Sequence, residues 1–224
     1  MLRRILTVCL ACAIPVAAPA QAVGVLSDSA ARVFYRQHAT EYADESRAMA
    51  PTSGRVSRTA GQLKIKLRNG RIQTLLDTLA EGDSHHRFLY SEYIRGLGLH
   101  HVTAWYYEGS THLLIRESDG KTVFVPGSPI FSPDRRHFVS ASLDLEAMYN
   151  PNRLEVWTVS IRGVRQEFAV DGAEKWGPDS VRWISNSLIQ YSRKAMNQGS
   201  GEVHYAPRWL VRSAQGWRVM THRP

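Results

Sequence analysis

Four turn signals at regular spacing constrain the fold of this chain more than any other feature. Each lies between two short runs in which apolar and polar residues alternate, which is the pattern of two antiparallel strands joined by a hairpin. The turn glycines are Gly70, Gly120, Gly163 and Gly216, at spacings of 50, 43 and 53 residues. A four-stranded propeller blade takes roughly 40 to 50 residues. The sequence therefore predicts an all-β fold of antiparallel repeats after Gly61.

The alternation also places the strands. We predict hairpin strands at 63–67 with 72–75, 112–116 with 123–125, 154–159 with 166–170, and 209–212 with 217–220. Further strands are expected at 137–142, 181–184 and 187–191. Asn69-Gly70 and Asp119-Gly120 indicate tight turns, because a two-residue primed turn needs positive φ at both central residues.

One segment resembles a known repeat family. Residues 132–139, Ser-Pro-Asp-Arg-Arg-His-Phe-Val, resemble the F-S-P-D-G-x-x-[ILVF] element of WD-repeat-like propellers, typified by the periplasmic propeller protein of the Tol system. Arg135 stands where that element usually has glycine, and residues 183–188 form a degenerate second copy. The resemblance implies propeller-like repeats that bind or scaffold and carry no catalytic residues.

The chain length limits how many repeats can form. After Gly61 there is room for at most four blades. A small closed propeller, an incomplete one and an open stack of antiparallel sheets all fit this length. A β-sandwich is the alternative fold.

The first 22 residues have the pattern of a cleavable export signal. Arg3 and Arg4 precede an uncharged, mostly apolar stretch at 5–18. Ala-Gln-Ala at 20–22 predicts cleavage before Val23, and it is favoured over Ala-Pro-Ala at 18–20, which would cut before Gln21 but contains a proline. A membrane anchor and a lipoprotein acylated at Cys12 are the alternatives. Cleavage would remove both cysteines, Cys9 and Cys12. After the signal, the sequence has no apolar stretch long enough to span a bilayer. We therefore expect an exported protein, in the periplasm or outside the cell.

Residues 23–61 are predicted to form an arm and a linker ahead of a β domain at 62–224. Residues 27–50 favour one or two short helices or an irregular arm, and Pro51 would end a helix there. Residues 52–61 are rich in Ser, Thr, Gly and Arg, which is typical of a linker.

The charge of the chain points to acidic partners without naming one. Lysine and arginine number 28 against 20 acidic residues, a formal net charge of +8. Without Arg3 and Arg4 the count is 26 against 20, or +6. The basic residues are dispersed, which argues against nucleic acid. An envelope protein or an anionic surface polymer is the expected partner.

Two groups of residues are candidates for binding. The first is the polar loop between two predicted strands, with Asp144, Glu146, Asn150 and Asn152. Such a loop can carry recognition or offer oxygen ligands to a hard cation, although Asn-Pro-Asn at 150–152 also fits a plain turn. The second group comprises Trp105, Tyr107 and Trp176, which we expect to be exposed contacts of a sugar- or peptide-binding groove.

Catalytic motifs are not found, so we predict no catalytic residues, no metal site and no cofactor. The alternative is an envelope hydrolase or metal-dependent enzyme. It requires a single cleft formed by His101, His112, His137, Asp144 and Glu146, or a metal held by His86, His101 and His112. A purely structural subunit, with a large apolar patch or an unpaired sheet edge, is a third hypothesis.

Overall fold

The computed structural model of the chain describes residues 28–59, 61–79, 84–160, 162–197 and 199–224. The predicted export signal at 1–22 lies outside these residues. The described part contains helix α1 (Asp28–Gln37), helix α2 (Ala39–Met49) and a 3-10 turn (Ala50–Thr52), followed by β-strands. The expectation of short helices ending near Pro51 is confirmed.

The strands form four antiparallel sheets, and within each sheet the neighbours follow one another along the chain. Sheet A has three strands: β1 (Val56–Thr59), β2 (Gln62–Lys66) and β3 (Ile72–Leu76). Sheet B has four: β4 (His86–Ile94), β5 (Leu99–Tyr106), β6 (Ser110–Arg116) and β7 (Thr122–Val125). Sheet C comprises β8 (Ile130–Phe131), β9 (His137–Ser142), β10 (Arg153–Ser160) and β11 (Gly163–Asp171). Sheet D comprises β12 (Gly177–Ser185), β13 (Leu188–Met196), β14 (Val203–Ser213) and β15 (Gly216–Met220).

This architecture confirms the all-β prediction and the hairpins on which it was based. The four predicted hairpins correspond to β2–β3, β6–β7, β10–β11 and β14–β15. The described residues form four separate sheets, whereas the alternative fold, a β-sandwich, has two.

The expected geometry of the first two turns is wrong. At Asn69-Gly70 and Asp119-Gly120 only the glycines have positive φ, of 83° and 78°. Each loop is longer than two residues, because β2 ends at Lys66 and β6 ends at Arg116. The Asn69 and Asp119 side chains instead each accept the backbone N–H two residues on, as in an Asx turn.

Consecutive sheets pack face to face, with one apolar core between each pair. Sheets A and B share a core that contains Leu63, Ile65, Val102 and Ile115. Sheets B and C meet at Leu99, Leu114, Phe138 and Val159, and sheets C and D meet at Val139, Val156, Ile189 and Leu210. Sheets B and C are therefore covered on both faces, and the loops at their edges are held in fixed relative positions.

The N-terminal region is part of this packed body. Val56 of β1 is 4% exposed and lies in the first core, so the prediction of a linker at 52–61 is wrong for residues 56–59. Arg58 of β1 donates from Nε to Glu45 of α2 at 2.5 Å and from Nη1 to Asp77 at 2.8 Å. The same Glu45 accepts the backbone N–H of Tyr90 at 2.8 Å, which fixes α2 on sheet B. No described helix has the length and apolar character needed to cross a membrane.

Candidate binding cleft

The two segments predicted to carry recognition meet at one cleft. One wall is the turn between β5 and β6, and the other is the loop between β9 and β10. The cleft measures about 450 Å³ and is lined by Tyr106, Tyr107, Glu108, Gly109, Ser110, Thr111, Pro126, Tyr149, Asn150 and Pro151. We call it the aromatic cleft. Both Tyr107 and Asn150 line it, although they lie 43 positions apart in the sequence and belong to the two different groups of predicted binding residues.

Asn150 joins the two walls. Its side-chain Oδ1 accepts the backbone N–H of Ser110 at 2.8 Å. Gly109 lies against the same side chain, since a Cβ at Gly109 would come within 3.0 Å of Asn150 Oδ1. A side chain at position 109 would therefore make a tight contact with Asn150, which glycine avoids.

Asp144 gives the β9–β10 loop its shape. Its carboxylate accepts hydrogen bonds, at 2.9 to 3.1 Å, from four backbone N–H groups of the loop, those of Ala147, Met148, Tyr149 and Asn150. Partial burial alone would raise the pKa of Asp144, but these donors together hold it below its ordinary value. The carboxylate is thus a fixed internal acceptor.

Asn152 has a similar structural role and is 4% exposed. Its Oδ1 accepts the backbone N–H of Asp144 at 2.7 Å, and its Nδ2 donates to the Ala173 carbonyl at 2.9 Å. Glu146 is exposed on the same loop. Of the four polar residues predicted for this loop, Asn150 lines the cleft, while Asp144 and Asn152 hold the loop in place.

Three exposed tyrosines line the cleft. The exposed fractions are 44% for Tyr106, 61% for Tyr107 and 56% for Tyr149. The neighbouring Glu108 carboxylate raises the pKa of the Tyr149 hydroxyl. Sequence reasoning missed Tyr149. Its position beside Asn150, in a loop already marked for recognition, was the available signal.

Trp105 and Trp176 lie elsewhere. Trp105 is 42% exposed, as expected, but it lines a separate pocket with Glu41, Ser91 and Thr103. Trp176 is only 9% exposed and packs in the core between sheets C and D, stacked on Tyr191. The expectation that Trp176 is exposed is therefore wrong. The packing of sheet D on sheet C buries its side chain. The chain also turns tightly ahead of it, since a Cβ at Gly172 would lie 1.8 Å from the Trp176 carbonyl oxygen.

The histidines are distributed over different interfaces. His101 Nε2 lies 2.9 Å from His112 Nδ1, and the His112 ring also contacts Thr103 Oγ1 at 3.3 Å. His137 is buried among Trp183, Trp217 and Glu167 instead. Within the described ranges no three His, Asp or Glu side chains are placed to hold a metal ion.

Comparison with protein-family models and with curated protein sequences gives no match. Among solved structures, the chain is similar to the crystal structure of a proposed 6-phosphogluconolactonase from Bacteroides uniformis, with 8% sequence identity and a TM-score of 0.30. The similarity covers 75% of this chain and 63% of that one. At this TM-score it supports no inference about fold or activity.

Proposed function

We propose that this protein is an exported binding module of the bacterial cell envelope that recognises a partner through the aromatic cleft. The observation that carries the proposal is the convergence of Tyr106, Tyr107 and Tyr149 on one fixed concave surface. Exposed aromatic side chains on rigid loops are typical of recognition sites, because they bury much area at little entropic cost. The loops are held by Asp144 and Asn150, so little ordering is needed on binding.

The scaffold of this module is proposed to be a set of propeller-like blades. Three sheets are four-stranded antiparallel meanders, and successive sheets pack face to face, which agrees with such an arrangement. Arg135 adds support, because its φ of 56° is the conformation that the glycine of the related propeller element would favour. In this arrangement the loops at the blade edges are the expected binding surface.

Export to the periplasm is proposed from the N-terminal pattern at 1–22. The partner proposed for the cleft is a protein of the envelope. Glu108 places a negative charge in the cleft, which argues against an anionic polymer as the ligand there. Such a polymer would have to bind elsewhere on the basic surface.

Binding is proposed over catalysis because the groups that an enzyme would need lie apart. His101 and His112 are in contact, whereas His137 lies between sheets C and D. The carboxylate of Asp144, the acid expected beside them, instead accepts hydrogen bonds from backbone N–H groups of its own loop. A hydrolase would need these groups within hydrogen-bond reach of one substrate.

The test is affinity capture from envelope extracts with tagged, signal-processed protein. We would compare the unmodified protein with Tyr107→Ala, Tyr149→Ala and the control Tyr205→Ala, whose side chain is 59% exposed on β14. We expect one partner to be retained by the unmodified protein and by Tyr205→Ala, and lost by both cleft variants. A partner retained equally by all four proteins would contradict the proposal.

A further inference from the structure

We propose that the aromatic cleft binds an extended, proline-rich peptide segment that carries a lysine or arginine next to its prolines. This inference rests on the proposed binding function and adds the chemical class of the ligand. Three features of the cleft support it: its ring surfaces, its hydrogen-bonding groups and its charge.

The ring surfaces are suited to proline. Three tyrosines and two prolines, Pro126 and Pro151, line the cleft. Grooves lined by aromatic residues recognise polyproline II segments, because a proline ring packs flat against an aromatic face. The polyproline II helix is also preformed, so the peptide loses little conformational entropy when it binds. A fixed cleft and a stiff ligand both reduce the cost of association.

The hydrogen-bonding groups argue against a sugar. Asn150 donates from Nδ2 to Asp144 Oδ2 at 3.3 Å, and its Oδ1 already accepts the Ser110 N–H. Thr111 Oγ1 donates to the Val125 carbonyl at 3.1 Å. The other polar side chains that line the cleft are the Glu108 carboxylate and the hydroxyls of Ser110 and the three tyrosines. A saccharide, which has many hydroxyl groups, needs more hydrogen-bond partners than a proline-rich segment does. Proline has no N–H to satisfy, so a proline-rich segment makes fewer such demands.

The charge of the cleft selects a basic ligand. Among the described residues that line it, Glu108 is the one with a charged side chain. Glu108 and Tyr149 line the same cleft, and the Glu108 carboxylate raises the pKa of the Tyr149 hydroxyl, which agrees with a position close to that exposed ring. A lysine or arginine adjacent to the bound prolines can therefore pair with Glu108 while its prolines contact the tyrosines. An acidic residue at the same place would be repelled.

The experiment is isothermal titration calorimetry on the purified mature protein with three synthetic probes. The first is a polyproline octapeptide with one internal arginine, and the second has glutamate in place of that arginine. The third is chitohexaose, a neutral sugar. Each probe is titrated into the unmodified protein, Tyr107→Ala, Tyr149→Ala, Glu108→Gln and the control Tyr205→Ala. Far-ultraviolet circular dichroism of each variant establishes that it is folded.

We expect the arginine peptide to bind to the unmodified protein and to Tyr205→Ala with equal affinity. Each tyrosine substitution in the cleft should weaken it about tenfold, the scale of an interface anchor. Glu108→Gln should weaken it about threefold, the scale of an exposed ion pair, and should reduce the effect of salt. The glutamate peptide should bind more weakly than the arginine peptide.

Three results would overturn the inference and leave the binding function in place. Chitohexaose could bind through the tyrosines, the two peptides could bind equally well, or no probe could bind although a partner is captured through the cleft. Peptide binding that is unchanged in both cleft variants would place the peptide elsewhere and overturn the inference as well. If no probe binds and no partner is captured, both the inference and the proposed function fail.

Discussion

The side-chain oxygen of Asn150 accepts the backbone N–H of Ser110 at 2.8 Å, and this bond joins two loops that lie 40 residues apart in the sequence. Ser110 begins β6 in sheet B, whereas Asn150 precedes β10 in sheet C. The bond therefore connects the edges of two stacked sheets. It also holds together the two segments that line the aromatic cleft, one with Tyr107 and the other with Tyr149.

Replacement of Asn150 by alanine should loosen the cleft without unfolding the protein. The Ser110 N–H would lose its acceptor and the loop would lose one contact to Asp144, so we expect a loss of about 1 to 2 kcal/mol in the free energy of unfolding. Amide hydrogen exchange should become faster in both walls, at residues 106–110 and 144–150.

A matched control exists in Asn186. Its Oδ1 accepts the Asp134 N–H at 3.0 Å and also joins two distant loops, but away from the cleft. Asn186→Ala should leave exchange in both walls unchanged. Equal protection of the walls in Asn150→Ala and the unmodified protein would mean that the bond does not hold the cleft.

Much of this fold could be predicted from the sequence, because four hairpins have strands that alternate and turns that contain glycine. The strands β4 and β5 were not predicted, and their structure explains why. A bulge between Tyr90 and Glu92 interrupts the alternation in β4. In β5 the first six residues are all buried, since neighbouring elements cover both faces, so no polar face is visible in the sequence.

The candidate site could be predicted in part. Local sequence marked the two segments that form the cleft, but it could not show that they meet, because their contact depends on how sheet B packs on sheet C. Trp176 was misjudged for the same reason. A tryptophan in a Gly-rich loop has the local character of an exposed residue, and only the packing of sheet D on sheet C buries it.

Asp144→Asn should destabilise the protein at neutral pH and much less in acid. The folded pKa of Asp144 is lowered, so its contribution is present above the unfolded value of about 3.9 and is lost as the pH falls through the folded pKa. We expect a deficit of about 1 to 2 kcal/mol at pH 7, because an amide oxygen is a weaker acceptor than a carboxylate for the four loop N–H groups. As the pH falls below about 3.9, towards the folded pKa, the difference from the unmodified protein should shrink, because Asp144 becomes protonated.

Urea denaturation at pH 7, 5 and 3 measures this change. Glu146→Gln is the control, since Glu146 is exposed on the same loop, and it should have little effect at any of these pH values. A deficit in Asp144→Asn that stays constant from pH 7 to pH 3 would show that the carboxylate charge does not stabilise the loop.

Arg58→Met should be strongly destabilising. Arg58 pairs with the carboxylates of Glu45 and Asp77, whose side chains are only 2% and 1% exposed. Removal of the guanidinium would leave two buried carboxylates without their cation, a change that typically costs 3 to 5 kcal/mol. Chemical denaturation should show this loss, whereas Arg47→Met should cost less than about 0.5 kcal/mol, because the Arg47–Asp44 pair is exposed.

A double variant separates the effect of the unpaired charge from that of the hydrogen bonds at this site. Glu45→Gln in the Arg58→Met background removes one of the two buried, unpaired carboxylate charges, so it should recover part of the lost free energy of unfolding. If the double variant is less stable than Arg58→Met alone, the hydrogen bonds of Glu45 to its other partner, the backbone N–H of Tyr90, outweigh the cost of the buried charge.

The His101–His112 pair should make the protein less stable in mild acid. Burial, together with the neighbouring His101, lowers the pKa of His112 to about 4. An unfolded histidine titrates near 6.5, so between about pH 6.5 and pH 4 the unfolded chain binds more protons than the folded one. The free energy of unfolding should therefore fall as the pH drops through this window, by up to about 1.4 kcal/mol per pH unit for this one group. This window lies above the one in which Asp144 is protonated.

The histidine contribution can be isolated by substitution. Denaturation curves between pH 7 and pH 4.5 should show a shallower pH dependence for His112→Gln than for the unmodified protein. A remaining slope is expected from His100, whose pKa burial also lowers to about 4. His204→Gln is the control on an exposed strand, where the side chain is 64% exposed, and should not change the slope. Identical slopes for His112→Gln and the unmodified protein would mean that His112 titrates no differently in the folded and unfolded chains, so the buried pair would not act as an acid-sensitive contact between the strands β5 and β6.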